Sequence, residues 1–176
     1  MRCMEEQTAA LKDGREVKIR LVAVEDKEQL LAMFSSMSES AVRWGMPPYT
    51  RDRIERWFAA FKDMIGLVAL HSDRIVGWCS IYMQPHPRRK GIGELGIYLH
   101  QDFHGVGLGT TMTDLVLELA KQQSMHRIYL EVVEDNKPAV RLYVRSGFSA
   151  EGRLRDAYFG DDDQYHNTII MAKLLK

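Results

Sequence analysis

Residues 100–120 read HQDFHGVGLGTTMTDLVLELA, and this stretch decides the fold because its glycine-rich turn leads directly into a helical pattern. Gly105, Gly107 and Gly109 alternate with other residues, and no lysine or proline separates them from the apolar periodicity that follows. Glycine adopts positive φ without steric cost and lets a ligand approach the main chain. The first turn of a helix adds unpaired N–H groups and a positive dipole end. The stretch therefore predicts an anion-binding turn at the start of a helix.

Three generic interpretations of these glycines are compared. A Walker loop requires Gly-Lys-Ser/Thr after the last glycine, whereas Thr110-Thr111-Met112 follows here. A dinucleotide fingerprint places a third glycine at the position of Thr110, although Glu131 does lie where a ribose-binding acid would stand after the next strand. The third interpretation is a tight entry into a helix without any ligand. The glycines alone do not decide between this last interpretation and anion binding.

A second pattern occupies residues 130–148. Leu130-Glu131-Val132 ends a strand, and Asn136 is placed to cap a short helix with Pro138 in its first turn. Gly147 ends that helix before the next strand begins at Phe148. The pattern predicts a strand, a capped short helix and a second strand in succession.

Together the two stretches resemble the GNAT superfamily of acyl-CoA N-acyltransferases. The first signature of that family, Q/R-x-x-G-x-G/A, matches His104–Gly109, and the second, L-x-V…N…A…LY…GF, matches Leu130–Phe148. The resemblance extends over most of the chain from about Lys18 onward. His104 stands where glutamine or arginine is usual, a departure that affects one side-chain contact to phosphate and leaves the main-chain amides intact.

The order of elements predicts a mixed α/β (α+β) fold. Helical patterns follow Glu25, Thr50, the glycine turn and Pro138, and strand patterns cover Val17–Val24, Leu67–Leu70, Ile75–Met83, Gly93–His100, Arg127–Val133, Phe148–Arg155 and Tyr165–Leu174. Tight turns join several strands, so the sheet is not wholly parallel. The resemblance implies a mixed, mostly antiparallel central sheet of about seven strands with four helices. Residues 1–176 are expected to form a single domain, with residues 1–10 as a loose tail.

Composition excludes several classes of protein. The chain has 24 basic and 24 acidic residues, so no net charge attracts it to nucleic acid or to a membrane. Cys3 and Cys79 are too few for a disulfide framework or a zinc site, and Cys79 lies in an apolar strand pattern that predicts a buried thiol. The start of the chain shows no signal-length apolar segment. We expect a cytoplasmic protein.

The resemblance implies acetyl-CoA as co-substrate, bound between the strand that ends at Leu99 and the strand of Glu131. Main-chain groups pair with the pantetheine arm at Ile97, Tyr98 and Leu99. The pyrophosphate is held by His104, Gly105, Val106, Gly107, Leu108, Gly109 and Thr110. Asn136 and Ala139 contact the pantetheine or its ordered water, and Asn136 equally fits a helix cap. No metal is expected, because main-chain dipoles neutralise the pyrophosphate.

Acetyl transfer from a thioester needs a neutral amine, a polarised carbonyl and a protonated leaving thiolate. Tyr143 matches the general acid of the family and would protonate the thiolate, although it also fits the packing face of its helix. Glu131 and Glu94 are the candidate bases, since each lies on a strand beside the expected cleft and on the face opposite to its apolar neighbours. Each also fits a solvated strand carboxylate. The residues do not decide which of the two carboxylates acts.

The resemblance places one wall of the acceptor cleft at Ser38–Tyr49. Glu39, Trp44 and Tyr49 in this segment would suit a cationic amine through charge and cation–π contacts. Core packing explains Trp44 equally well.

The first hypothesis is an N-acetyltransferase that transfers the acetyl group to a primary amine of a small molecule by direct attack, since no cysteine is placed for a covalent intermediate. A protein N-terminal or lysine acetyltransferase is the alternative at the level of the acceptor. A non-catalytic acyl-CoA-binding module is the alternative of another class, and a nicotinamide-dinucleotide protein ranks last. The resemblance and the exposed edges of a sheet also imply a homodimer.

Overall fold

The computed structural model describes residues 4–175, and an eight-stranded sheet forms its centre. The strands are β1 Gln7–Ala10, β2 Glu16–Leu21, β3 Met64–His71, β4 Arg74–Met83, β5 Ile92–Leu99, β6 Arg127–Val133, β7 Ser149–Phe159 and β8 Tyr165–Leu174. They lie in the order β1-β2-β3-β4-β5-β6-β8-β7. In this part of the chain only β5 and β6 pair in parallel, and every other neighbouring pair is antiparallel. The predicted mixed, mostly antiparallel sheet is confirmed.

The described chain contains five α-helices, which are α1 Lys27–Ser36, α2 Glu39–Val42, α3 Arg51–Ala59, α4 Leu108–Gln122 and α5 Lys137–Arg145. Helix α4 packs on β3, β4 and β5, while α1 packs on β4 and α3. Helix α5 contacts α4. None of the helices formed by residues 4–175 has the length and apolar character needed to cross a bilayer.

Two elements correct the expectation from sequence. Residues Gln7–Ala10, expected within a loose tail, form the edge strand β1, in which Gln7 pairs with Ile19 and Ala10 with Glu16. The main-chain ladder holds this strand, because its side chains are mostly exposed. Residues 1–3 of the expected tail lie outside the described residues. Helix α2 is also additional, and Ser38 caps it by accepting a hydrogen bond from the Ala41 amide.

Two apolar layers cover the two faces of the sheet. On one face, Met112 and Val116 of α4 are fully buried against the strands, as the helical spacing predicts. Cys79 is fully buried in the same layer, which confirms the predicted buried thiol. On the other face, Trp78 packs with residues of α1 and α3. Trp78 and Cys79, which are adjacent on β4, thus pack into opposite layers, because successive side chains of a strand point to opposite faces.

Strands β5 and β6 separate soon after they begin. Their ladder joins Ile92–Glu94 to Arg127–Tyr129 and goes no further. Beyond this point β5 stays paired to β4 as far as Leu99, and β6 stays paired to β8 as far as Val133. The sheet therefore opens into a fork between two parallel strands, and the main-chain groups that line the fork have no partner strand.

Candidate active site

The glycine turn forms a cradle of free amides beside the fork. Gly105 and Gly107 have φ of 74° and 96°, the left-handed region that glycine adopts most readily, and Gly107 is the N-cap of α4. The first helical bond runs from the Thr111 amide to the Gly107 carbonyl, 3.1 Å away. None of the amides from Gly105 to Thr110 donates a hydrogen bond to another residue in the described chain. These consecutive N–H groups at a helix start fit a phosphate group.

Gly109 has a different reason to be glycine. A β-carbon at this position would lie 2.5 Å from Cδ1 of Leu142 and 3.2 Å from Cδ1 of Leu99. The missing side chain therefore lets α4 approach α5 and the end of β5 closely. The third glycine of the motif brings the amide cradle to the mouth of the fork.

The His104 imidazole is hydrogen-bonded to the end of β5. Its Nε2 atom donates to the carbonyl oxygen of Leu99, 2.9 Å away, and its side chain is exposed. Ile97 and Leu99 pack into the α4 layer, whereas Tyr98 packs into the opposite one. The imidazole therefore binds the main chain of β5. His104 thus contributes no free cation to the cradle.

Tyr143 lies on α5, and only 7% of its surface is exposed. Its ring packs edge-on against Phe148, with ring centres 5.9 Å apart. Burial raises the pKa of the Tyr143 hydroxyl, and the nearby Cys79 thiol adds to the rise. The hydroxyl makes no hydrogen bond to any residue within 4–175. The geometry thus provides a neutral O–H donor at neutral pH whose proton is not committed elsewhere in the chain.

Glu94 lies where the fork begins. It pairs with Tyr129 at the last rung of the β5–β6 ladder, and its Oε2 atom accepts a hydrogen bond from the Tyr129 hydroxyl at 3.2 Å. Burial raises the pKa of the neighbouring Tyr98 hydroxyl, and repulsion from Tyr143 and Glu94 contributes to the rise. Tyr98 therefore lies close enough to interact electrostatically with Tyr143, the candidate acid, and with Glu94, the candidate base.

Glu131 is placed differently from Glu94. Its Oε1 atom accepts a hydrogen bond of 2.5 Å from Thr168 on β8, a residue that is 3% exposed. The carboxylate is thus directed to the strand on the far side of β6. The structure brings Glu94 to the base of the fork and ties Glu131 to β8.

Asn136 caps α5. Its side chain accepts a hydrogen bond of 3.3 Å from the amide of Ala139, which confirms the predicted cap. The contact of Asn136 and Ala139 with pantetheine stays a prediction.

The predicted acceptor wall is anchored on β5 through Tyr49. The Tyr49 ring stacks on Phe34 with ring centres 4.4 Å apart and meets the Tyr98 ring edge-on at 5.4 Å. Its hydroxyl accepts a hydrogen bond of 2.9 Å from the Met46 amide. Glu39 is exposed in α2, and its carboxylate makes no hydrogen bond or ion pair with another described residue. Tyr49 thus contacts Tyr98 on β5, beside the fork, whereas the Glu39 side chain makes no such contact.

Trp44 anchors the other end of the same segment on the β7–β8 hairpin. Its ring meets His166 edge-on at 5.1 Å and lies 6.2 Å from the Tyr158 ring. The segment 43–49 therefore reaches from β5, through Tyr49, to β8, through Trp44. Because β8 is the neighbour of β6, this segment bridges the two sides of the fork.

Polar contacts that the sequence did not predict strengthen this attachment. The Tyr158 hydroxyl lies 2.6 Å from the carbonyl oxygen of Arg43 and 2.8 Å from that of Gly45. The Arg43 guanidinium lies 3.2 Å from an oxygen of Asp161 and 2.9 Å from one of Asp162. The acidic turn at Asp161 and Asp162 therefore holds the acceptor wall. No local pattern signals it, since the partners lie more than a hundred residues apart.

His166 is the centre of that attachment. Its Nδ1 atom lies 2.8 Å from Asp135, just after β6, and its Nε2 atom lies 3.0 Å from Asp162. The two carboxylates, Asp162 first and then Asp135, raise the pKa of the His166 imidazole. His166 thus joins the hairpin tip to the segment that leads into α5.

Comparison with known proteins agrees with this geometry. Residues 27–148 match the model of a family described as the acetyltransferase (GNAT) family. The L-amino acid N-acetyltransferase AaaT of Escherichia coli is 31% identical over 131 residues, which are 72% of this chain and 79% of that protein. A mycothiol acetyltransferase of Geodermatophilus obscurus is 33% identical over 99 residues, 54% of this chain. The chain spans only 31% of that relative's length.

Solved structures share the fold. The acetyltransferase of the GNAT family from Streptococcus pneumoniae superposes with a TM-score of 0.79 at 23% identity, covering 90% of this chain and 99% of the other. The spermidine N-acetyltransferase from Vibrio cholerae, solved in complex with CoA and spermine, superposes with a TM-score of 0.74 at 19% identity. That comparison covers 90% of this chain and 95% of the other. At these identities the likeness concerns the fold.

Proposed function

Because the chain belongs to the acetyltransferase (GNAT) family, we propose that it transfers the acetyl group of acetyl-CoA to a primary amine of a small molecule. One observation carries the proposal: the amides of Gly105–Thr110 are free at the start of α4 and lie beside the point where the two parallel strands β5 and β6 part. A diphosphate fits the amides, and an extended arm fits the fork.

The bound thioester would supply an activated acetyl group and a thiolate leaving group. In this proposal the amides of the cradle hold the pyrophosphate, and the edge of β5 at Ile97–Leu99 that faces away from β4 directs the pantetheine arm along the fork. Asn136 and Ala139 line the arm from the start of α5. The acetyl carbonyl then lies near the base of the fork, between the faces that carry Tyr143 and Glu94. The pyrophosphate needs no metal here, since amide dipoles and a helix end oppose its charge.

Glu94 is the general base in this mechanism. It takes one proton from the attacking amine, directly or through a water molecule, while the amine nitrogen forms a bond to the acetyl carbon. Two observations favour it over Glu131: Glu94 lies at the base of the fork, and Glu131 already accepts a short hydrogen bond from Thr168.

Tyr143 is the general acid. As the carbon–sulfur bond breaks, its hydroxyl gives a proton to the thiolate, so the products are the acetylated amine and the free thiol of coenzyme A. Burial raises the pKa of this hydroxyl, so Tyr143 stays protonated until the thiolate forms. Solvent protons restore the tyrosine after the thiol departs.

The bridge formed by residues 43–49 favours a small acceptor. Tyr49 and Trp44 attach it to both sides of the fork, and in this proposal the bridge limits the size of the acceptor. A protein N-terminus or a lysine side chain remains the second candidate acceptor, since an extended peptide would require this bridge to move.

Thiol release measured against a panel of amino acids, polyamines, other small amines and peptides tests the proposal. We expect acetyl-CoA-dependent release with at least one small amine and a much lower kcat/KM with peptides. Faster turnover of peptides would favour the second candidate. Binding of coenzyme A without turnover of any amine would favour the non-catalytic module.

Self-association also belongs to this proposal. Strand β7 is the outer strand of the described sheet beyond β8, and Leu154 and Phe159 on it are 41% and 57% exposed. Two copies joined along this edge would cover both side chains and extend the sheet. Light scattering on the eluting protein measures the mass, and a monomer at micromolar concentration would contradict the homodimer.

A further inference from the structure

The turn between β1 and β2 lies directly on the glycine turn. The amide of Lys12 donates a hydrogen bond of 3.0 Å to the carbonyl of Val106. Arg15 donates 2.6 Å to the carbonyl of Asp102, and its guanidinium lies 4.0 Å from the centre of the Phe103 ring. The N-terminal hairpin, which the family match from residue 27 does not include, is therefore fixed against the amide cradle.

The side chain of Lys12 runs across the N-cap of α4. A β-carbon added to Gly107 would lie 3.6 Å from Cγ, 3.8 Å from Cδ and 3.5 Å from Cε of Lys12. Three successive stem atoms of Lys12 thus lie where they would touch a side chain at position 107, so the stem passes over this glycine. The Lys12 ammonium is one bond beyond Cε, at the end of the stem that passes over Gly107.

The Lys12 ammonium has no partner of its own in the described structure. It forms no hydrogen bond, and no carboxylate of residues 4–175 pairs with it. The adjacent acid, Asp13, pairs with Arg15 at 2.6 Å, and this neighbour lowers the pKa of the Asp13 carboxyl. A lysine whose ammonium has no partner among the described residues therefore extends over Gly107, within a turn whose amides from Gly105 to Thr110 are also free, and both groups favour an anion.

We propose that Lys12 binds the pyrophosphate of acetyl-CoA and supplies, from the β1–β2 turn, the side-chain cation that His104 does not supply. The inference rests on the proposed function, because it assumes that the cradle holds this pyrophosphate. Lysine suits the role as a compact point charge with three donors.

Two substitutions separate charge from packing. Lys12→Met keeps an apolar stem over Gly107 and removes the charge, whereas Lys12→Arg keeps a cation. Lys18→Met is the matched control, since Lys18 is an exposed lysine of the same hairpin whose ammonium lies 3.6 Å from Glu6. Thermal unfolding of each variant without ligand checks that the hairpin is intact.

Calorimetric titration with coenzyme A is the test. We expect the Kd to rise about tenfold in Lys12→Met, as one charge-assisted contact implies, and to stay within about twofold of the wild type in Lys12→Arg and Lys18→Met. Dephospho-coenzyme A, which lacks the 3′-phosphate and keeps the pyrophosphate, should show the same difference. S-acetylpantetheine, which has no phosphate, should be used with equal kcat/KM by wild type and Lys12→Met.

Each contrary result contradicts one step of the inference or the proposed function itself. Equal Kd values for wild type and Lys12→Met, with wild type binding normally, overturn the role of Lys12 and leave the proposed function standing. A difference lost with dephospho-coenzyme A overturns the pyrophosphate assignment in favour of the 3′-phosphate. A defect that persists with S-acetylpantetheine overturns phosphate binding in favour of packing. Absence of coenzyme A binding by the wild type overturns the proposed function together with this inference.

Discussion

Glu94 and Tyr129 form the last rung of the β5–β6 ladder, and the Tyr129 hydroxyl donates a hydrogen bond of 3.2 Å to the Glu94 carboxylate. Beyond this pair the two strands have no ladder between them. The only carboxylate on that rung therefore lies where an acetyl group at the end of an arm along the fork would arrive. This relationship is the basis for choosing between the two candidate bases.

Replacing each candidate base by its amide tests that choice. We expect Glu94→Gln to lower kcat/KM about a hundredfold or more, the usual contribution of a general base, and Glu131→Gln to lower it less than about threefold. Steady-state thiol release at saturating acetyl-CoA measures both. A larger loss of kcat/KM in Glu131→Gln than in Glu94→Gln would assign the base to Glu131. No loss of kcat/KM in either variant would contradict catalysis by a side-chain base.

Tyr143→Phe keeps the packing against Phe148 and removes only the hydroxyl. We expect kcat to fall about a hundredfold, because the thiolate loses its proton donor, while the Kd for coenzyme A stays near the wild-type value. Tyr165→Phe, at a tyrosine that is 67% exposed, is the control and should change neither quantity. Unchanged kcat in Tyr143→Phe would contradict the acid role.

Tyr158→Phe tests whether the bridge of residues 43–49 shapes the acceptor site. The variant loses the contacts to the Arg43 and Gly45 carbonyls and keeps the aromatic ring beside Trp44. We expect KM for the amine to rise about three- to tenfold, the equivalent of one lost hydrogen bond, with the Kd for coenzyme A unchanged. An unchanged KM for every accepted amine would contradict a role of this bridge in the acceptor site.

His166 should make stability depend on pH. Asp162 and Asp135 raise the pKa of His166 in the folded chain above the unfolded value of about 6.5. Its stabilising contribution is therefore fully present below about pH 6.5 and is lost as the pH rises through the folded pKa. The Tm difference between wild type and His166→Gln should be largest near pH 5.5 and shrink towards pH 9.

His126→Gln, at an exposed histidine, is the control for that series and should show no such trend. A Tm difference for His166→Gln that is constant with pH, or that grows as the pH rises, would contradict a raised pKa of His166 in the folded protein.

Local patterns were enough to predict the parts of the site that depend on neighbours in sequence. The start of α4 follows from glycines that precede an apolar helical stripe, and the Asn136 cap follows from a polar residue three positions before Ala139. Strand β5 follows from alternation, with Leu95 buried and Glu94 exposed. In each case the physical cause lies within a few residues of the position it determines.

Other parts depend on contacts that no local pattern records. Strand β1 reads QTAA, and main-chain pairing to β2 rather than side-chain burial makes it a strand. The attachment of Arg43 to Asp162 joins positions 119 residues apart. Likewise, Glu94 and Glu131 have the same strand pattern, and only the register of β5, β6 and β8 distinguishes their surroundings. Tertiary pairing, not propensity, decides these features.

Thermal unfolding with acetyl-CoA, coenzyme A and NAD tests the central claim, the identity of the ligand in the amide cradle, most directly. At a ligand concentration about a thousandfold above a micromolar Kd, linkage adds about 4 kcal/mol to the free energy of unfolding. We predict a clear rise in Tm with acetyl-CoA and with coenzyme A, and none with NAD. A rise with NAD alone, or no rise with either coenzyme A ligand, would contradict the assignment of the cradle and fork to acetyl-CoA.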